Sequence, residues 1–430
     1  MPKGDIEIVQ GRPTRVRYFT VGLIFITVVI SYLDRSSLSI AGPFISRGLH
    51  LSSVQMGLVF SAFAWAYSPL QIPGAMLVDR LKPRLLYPAV IFVWSAMQFA
   101  IGTAGSLGQL FVLRMGLGGA EAPSFPMNNR IVTSWLPERE RARGVGFFVS
   151  GQYVGLAFLT PLLAFVTQNF GWRAMFMLIG GLGMIWAVCF RLLNRDPAAS
   201  RRANAAELAL IRAGGAVDWA QPQGEDAAEH VPVWRAFRNR KLWGLLLAHS
   251  GETAANWFFL TWFPIYLVKY RHIAFLKMGF LATLPFVAAW CGVLLSGFLS
   301  DWLLSKGYSL SFARKVPIVT GLLVATSIIG ANFVQSPALI IGFMTLAFFG
   351  SGLGAISWSL VSSIAPPNLV GLASGAFNFV GTSMGIIVPL VIGFLIRGGN
   401  FAPALAFVSG MALISAFSYL VIIGKVERVR

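Results

Sequence analysis

Four charged residues stand in stretches that are otherwise apolar: Asp34 and Arg35 in "SYLDRSSLSIAGP", Arg114 and Glu121 in "FVLRMGLGGAEAPSF". A charge at the centre of a bilayer costs ~2.5–3.5 kcal/mol on insertion scales, so such groups are retained for a reason. The residue types suggest two kinds of chemistry. An arginine fork takes a carboxylate through two parallel hydrogen bonds and keeps its charge at any relevant pH, which suits an anionic ligand. A buried carboxylate has its proton affinity raised by desolvation and lowered by a nearby arginine, which suits a group that gains and loses a proton as its surroundings change. Adjacent residues on a helix do not face each other, so Asp34 and Arg35 must look elsewhere. Arg114 and Glu121 are two turns apart, ~10 Å along one stripe. The expected arrangement pairs Arg114 with Asp34 and leaves Arg35 open to a central cavity. The alternative is that all four are ion pairs holding helices together.

These residues need helices to position them, and the composition supplies them. Of the 430 residues, 56% are hydrophobic and 12% charged, and apolar segments of about 20 residues, the length of a membrane-crossing helix, recur along the chain. Twelve spans are read, at 19–42, 54–78, 85–106, 109–130, 145–168, 172–193, 242–268, 278–302, 316–334, 337–361, 371–396 and 403–424. A β-barrel would instead show short alternating segments. The net charge of +18 does not indicate nucleic acid, because the basic residues are neither gathered on one soluble domain nor interleaved with stacking aromatics. Most of the 34 lysines and arginines fall in the two tails and in the loops after the second, fourth, sixth and eighth spans. That asymmetry predicts both termini in the cytoplasm. The first span is too long for a signal peptide and lacks a small-residue cleavage site after it. Cys189 and Cys291 fall inside spans, as small hydrophobes. No phosphate-binding loop, zinc spacing or paired soluble carboxylate appears, so neither a metal site nor an enzyme is expected.

Between Asn194 and Lys241 the sequence turns charged, Ala-rich and turn-forming, with one short helix expected near Ala205 to Ala213. It divides the chain into an N-terminal six-helix bundle (1–193), a cytoplasmic linker (194–241) and a C-terminal six-helix bundle (242–430). The halves echo each other. "PGAMLVDRLKPR" resembles "LSGFLSDWLLSKG", and "RGVGFFVSGQYVGLAFLTPLLAF" parallels "VGLASGAFNFVGTSMGIIVPLVIGF"; Asp79 and Asp301 lie 222 residues apart, Gly144 and Gly371 227. Similar offsets at separate points imply duplication of a six-helix unit, as in some secondary transporters.

The chain here resembles the major facilitator superfamily over all its spans. The loop motif of that family, G-x-x-x-D-R-x-G-R, is partly kept, with Ala75 and Lys82 where glycines are usual and Asp79, Arg80 and Arg84 retained. "FVLRMGLGGAEAPSFPMNNRIVTSWLPERERARG" is similar to the anion:cation symporter branch, and "FSAFAWAYSPLQIPG", "FFLTWFPIYLV" and "FARKVPIV" resemble bacterial glucarate/galactarate transporters. The resemblance implies that Arg35 binds substrate, that Asp34 and Glu121 couple protons with Arg114 modulating them, and that Tyr32, Tyr67 and Gln152 contact substrate. Each of those three could equally make an ordinary interhelical hydrogen bond. Asn256, Ser357, Trp358 and Asn378 are the candidates from the second half; Asn378 sits near the repeat position of Gln152, and Trp358 also reads as packing. Asp79 and Arg80, with Arg84 and Asp301, are implied to latch the cytoplasmic side through contacts with helix termini.

"AHSGETAANWFF" departs from that pattern by bringing His249 and Glu252 into the seventh span, three apart on one face. They form a mutual pair, a third proton site or a further substrate contact. The expected protein is a monomeric multi-pass transporter of the bacterial inner membrane that imports a small organic anion, a hexarate sugar acid first, by proton symport and alternating access. Its partners are that anion and the lipid bilayer, and it needs no cofactor beyond the proton. The alternatives are a carrier of a hexonate, hexuronate, tartrate or aromatic carboxylate, an exchange mode, or a non-transporting membrane sensor.

Overall fold

The computed structural model describes residues 12–81, 83–216, 238–366 and 369–428, and among them every regular element is helical. Eight stretches are long and apolar enough to cross a membrane: Val16–Gly48, Arg84–Ile101, Thr160–Leu193, Phe275–Ser305, Leu310–Asn332, Pro337–Ile364, Val370–Leu395 and Ala402–Ile422.

The N-terminal part runs α1 (Val16–Gly48), α2 (Ser53–Arg80), α3 (Pro83–Ile101), α4 (Leu107–Glu121), α5 (Ser124–Trp135), α6 (Glu138–Phe158) and α7 (Thr160–Leu193). Local chemistry sets the boundaries. Ser52 and Gln55 form a reciprocal capping box at the start of α2, and Ser106 accepts from the Gln109 N–H to open α4. The apolar stretch expected at 109–130 is broken directly after Glu121, because Pro123 has no N–H to continue the ladder and α5 starts afresh behind it. The spans expected at 145–168 and 172–193 meet in α7, where Gly171 takes a left-handed turn at φ 83°. A side chain there would be strained.

After Asn194, α8 (Ala205–Ala213) is capped by Asn204, whose Oδ1 accepts from Glu207 N. This is the short helix expected in the linker, but it is docked. Glu207 is fully buried and accepts from Val16 N and Arg17 N at 3.1 Å and from Arg17 Nη1 at 3.2 Å. Its carboxylate thus satisfies N–H groups at the start of α1, where a negative charge is favoured.

The C-terminal part runs α9 (Arg240–Thr261), α10 (Phe275–Leu281), α11 (Thr283–Ser305), α12 (Leu310–Ala325), α13 (Pro337–Leu353), α14 (Trp358–Ile364), α15 (Val370–Leu395) and α16 (Ala402–Phe417). Short 3₁₀ or π turns interrupt it at Tyr266–Tyr270, Thr326–Asn332, Gly354–Ser357 and Ser418–Ile422.

The two parts close on each other at one end. Gly57 of α2 lies against the Pro389 carbonyl and Gly393 of α15, Gly42 against Ile265, and Gly279 against Ala164. Phe60 meets Trp262 edge-on, Phe44 meets Phe275, and Thr283 donates to the Ala157 carbonyl at 2.8 Å. The other end carries most of the described basic residues. There Arg17 binds Glu140 and Glu207, Arg130 caps the last turn of α2 at the Val78 and Leu81 carbonyls, and Lys241 binds Glu427. Toward this end a second apolar core, built from residues of α9, α12, α14, α15 and α16 with Ala365, Tyr419 and Ile423, is separate from the core shared by both parts. Further along α2, Asn378 donates to Gln71 across the two parts. These contacts join the parts from the end where α2 begins to past its middle.

Candidate functional site

The charged cluster lies midway along α1 and in the second half of α4. Glu121 is fully buried at the last position of α4, where it receives Arg35 Nε at 2.9 Å, Arg35 Nη2 at 2.5 Å and the Ser31 hydroxyl at 2.5 Å, all on Oε1. Ser31 and Arg35 are one helical turn apart, so α1 presents both to the same oxygen. Glu121 Oε2 accepts nothing. Arg35 is also enclosed by rings: its guanidinium carbon lies 4.9 Å from the centroid of Tyr32 and 4.7 Å from those of Phe63 and Tyr67. Such contacts stabilise a desolvated cation by about 2 kcal/mol.

This corrects the pairing expected from sequence. Arg35 is not open; Glu121 occupies it. Arg114 reaches helix α1, but Nη1 binds the backbone carbonyl of Asp34 at 3.2 Å, not its carboxylate. Both carboxylate oxygens of Asp34 are buried without a hydrogen bond, as is Arg114 Nε. The physical reason is register: α4 offers Arg114 at the level of a main-chain oxygen, and two turns further on Glu121 meets the arginine of α1. A carboxylate with no partner at this depth is expensive to ionise. The cluster thus holds one satisfied ion pair and one unsatisfied acid a single residue away.

Tyr32 and Tyr67 join this cluster through Arg35, and Gln152 is half-buried on α6. In the C-terminal part Asn256 is exposed in the middle of α9, with its amide on the Glu252 carbonyl at 3.4 Å. Asn378 binds Gln71 of α2. Trp358 is 45% exposed, whereas Ser357 is fully buried and turned to Glu252 at 3.2 Å. Ser357 therefore faces another protein group. His249 and Glu252 are brought together, Nδ1 3.6 Å from Oε2. His249 does not face open space: Phe377 stacks on it at 3.6 Å and Trp358 meets it edge-on at 5.9 Å.

Of the proposed latch, the side chains of Asp79 and Arg80 lie outside the described residues. Arg84 is half-buried with Nε unpartnered, and Asp301 is 3.7 Å from Arg314 at an exposed position. Arg130, which grips the end of α2, was not singled out from sequence. Ser31, Phe63 and Gln71 were missed too. Ser31 was legible from its spacing of four to Arg35, and Gln71 as a polar residue in "SPLQIPG"; nothing in the sequence marks Phe63.

Among the described residues, no group of three or more His, Cys, Asp or Glu could hold a metal ion. Among the described residues, the ion pair and hydrogen bonds at this cluster come from Arg35 and Arg114, both of the N-terminal part. Chemically the site offers one arginine fork shared between an internal carboxylate and anything that could replace it.

Known proteins share this chain's sequence and shape. It is 48% identical to a D-galactonate transporter of Escherichia coli O6:H1, over 99% of this chain and all of that protein. It is 41% identical to a "Probable galactarate/D-glucarate transporter" of Bacillus subtilis, covering 97% of this chain and 94% of the other. A bacterial homologue of the human lysosomal transporter Spinster, solved inward-facing and occupied, superposes with a TM-score of 0.71 at 18% identity, over 96% of this chain and 97% of its own; at that identity it speaks for the fold alone. The profile of the Major Facilitator Superfamily matches residues 24–389. The chain belongs to the Major Facilitator Superfamily.

Proposed function

We propose that the protein is a proton-coupled symporter that imports a sugar acid across the bacterial inner membrane, with twelve spans in two six-helix bundles that alternate access to a central site. The basic end, carrying both termini and the linker, faces the cytoplasm. The described conformation is then closed outward and open inward. The protein works as a monomer without cofactor, its coupling ion being the proton.

The observation that carries this reading is the Arg35–Glu121 pair. While Glu121 is ionised it holds the fork that a substrate carboxylate needs. Protonating Glu121 removes its charge and frees Arg35 for the substrate, so proton and anion bind together and leave together. Asp34, unpartnered beside Arg35, is the second proton acceptor, and Arg114 sets its charge balance from the carbonyl side. Tyr32, Tyr67, Gln152, Asn256 and Asn378 supply partners for hydroxyls, and Trp358 supplies a face for the carbon chain.

A hexarate needs a second cation for its far carboxylate, and His249 was the candidate. Phe377 and Trp358 cover it, so one arginine serves one carboxylate. A hexonate fits that count better, and the similarity to a D-galactonate carrier supports the same choice. The test is a thermal-shift panel on the purified protein, since a ligand that binds only the folded state raises its apparent stability. D-galactonate raises the melting temperature most, galactarate less, and neutral galactose not at all. Stabilisation by galactarate but not by galactonate would reverse the order of substrates, and stabilisation by galactose would remove the arginine from the account.

A further inference from the structure

Glu252 is a carboxylate buried in the core of the C-terminal part and unused by the mechanism above. Its surroundings invert those of Glu121. In the N-terminal part a serine of α1, the first span, donates to a carboxylate of α4; in the C-terminal part Ser357, on the turn after α13, donates to a carboxylate of α9 at 3.2 Å. Where Glu121 has an arginine, Glu252 has an imidazole. His249 Nδ1 stands 3.6 Å from Oε2 and has no hydrogen-bond partner, and the Tyr419 hydroxyl donates to the same oxygen at 3.4 Å.

The elements packed on α9 bring little other charge. Tyr419 comes from the turn at 418–422, and Tyr153 of α6 is near enough to interact electrostatically. α13, α14, α15 and α16 contain no ionisable side chain. α1 contributes Asp34 and Arg35, whose described partners belong to the N-terminal part. Among the described residues no lysine or arginine forms an ion pair with Glu252. A neutral imidazole beside an ionised carboxylate leaves this centre with one uncompensated negative charge in a low-dielectric interior. One proton from water, taken onto Nδ1 or Oε2 and held between them, makes it neutral overall.

The centre also touches a break in the tenth span. Ser357 closes the 3₁₀ turn Gly354–Ser357 that interrupts the tenth span, and a Cβ on Gly354 would lie 3.1 Å from the carboxyl group. A mid-helix stretch of 3₁₀ often marks a hinge. Losing the charge on Glu252 weakens the hydrogen bond that pins this turn, which ties proton loading to the shape of the span.

We propose that Glu252 and His249 form a second proton-carrying centre, so that each cycle moves one proton more than the Asp34 and Glu121 carboxylates carry. The proposal rests on the symport reading and is tested separately from it. In proteoliposomes clamped at zero membrane potential, the limiting accumulation of D-galactonate rises tenfold per unit of imposed pH difference for each coupled proton. The parent is expected to show a slope of three, and Glu252→Gln, which keeps one carbonyl acceptor for Ser357 or Tyr419, a slope of two, a tenfold loss at one unit. A parent slope of zero defeats the symport reading; a parent slope retained in Glu252→Gln overturns the second centre alone. If that variant exchanges no galactonate, infrared pH-difference spectra of the purified protein decide. The proposal requires a titrating carboxyl band that vanishes in Glu252→Gln and shifts in Tyr419→Phe, and a spectrum unchanged by both substitutions overturns it.

Discussion

Arg35 meets Glu121 through two nitrogens on one carboxylate oxygen, Nε at 2.9 Å and Nη2 at 2.5 Å, while the other oxygen accepts nothing. The pair is therefore half satisfied. It is held firmly enough to close the site to a competing anion and leaves Oε2 free to take a proton without breaking another bond.

Arg35→Lys keeps the charge and loses the fork. Hydrogen bonds to a charged group contribute ~1.5–3 kcal/mol, so losing one lowers galactonate affinity at least tenfold. The three rings now around the guanidinium also fit a compact ammonium less well. Calorimetric titration of the folded variant checks this, and parent-like affinity would take Arg35 out of the binding site.

Asp34→Asn and Glu121→Gln should separate in stability. Removing one partner of a buried ion pair costs ~3–5 kcal/mol, so Glu121→Gln melts several degrees below the parent in the absence of substrate. Among the described residues, Asp34 makes no ion pair with a cation side chain and its polar side-chain neighbour is the Trp94 indole, so its amide replacement melts closer to the parent than Glu121→Gln does. Both accumulate less galactonate than the parent at the same pH difference. Equal destabilisation would mean that the two acids are equally paired.

Much of this site was legible in the sequence, and the limits have a physical pattern. Asp34, Arg35, Arg114 and Glu121 announced themselves because charge in an apolar run is costly. Their partners did not, because cross-helix register depends on where each helix is broken, and the break at Pro123 that ends α4 at Glu121 was read as continuous span. The helix at Ala205–Ala213 was visible from composition, but its docking was not, since nothing local says that Glu207 reaches the start of α1. His249 and Glu252 were seen as a pair, and only the packing of Phe377 reveals that they are shielded. Ser31 and Gln71 escaped because an uncharged polar residue in a span is ordinary.

Gly57→Ala probes the seal. A methyl group there would run into the Pro389 carbonyl, backbone that cannot yield cheaply. In a background with Cys189 and Cys291 replaced by serine, spin labels at Gln55→Cys and Arg397→Cys, which flank the sealed end, should move apart. An unchanged distance distribution would show that this contact does not hold the closed end.

Docking of the linker helix is expected to fail in acid. The Arg17 guanidinium, hydrogen-bonded to Glu140, holds that carboxyl below the usual glutamate value of 4.5. A carboxyl whose proton affinity falls on folding adds stability above its unfolded value and loses it as pH drops through the folded one. The same Arg17 also binds Glu207 of α8, so a spin label at Ala209→Cys on α8 should be immobile at neutral pH and gain mobility as the pH falls below 4.5 and the Arg17–Glu140 contact is lost. Glu207→Gln, which loses the buried carboxylate at the start of α1, should be mobile at neutral pH. A label immobile in both conditions contradicts the role assigned to these acids.

The most direct test of the central claim, that freeing Arg35 from Glu121 couples proton and sugar acid, is labelled D-galactonate uptake into proteoliposomes with an acidic exterior, with and without a protonophore. The account predicts accumulation above the external concentration that collapses to equilibrium when the protonophore is added, and accumulation in Glu121→Gln at least tenfold lower per unit of imposed pH difference. Accumulation by Glu121→Gln equal to that of the parent, or uptake indifferent to the protonophore, would contradict it.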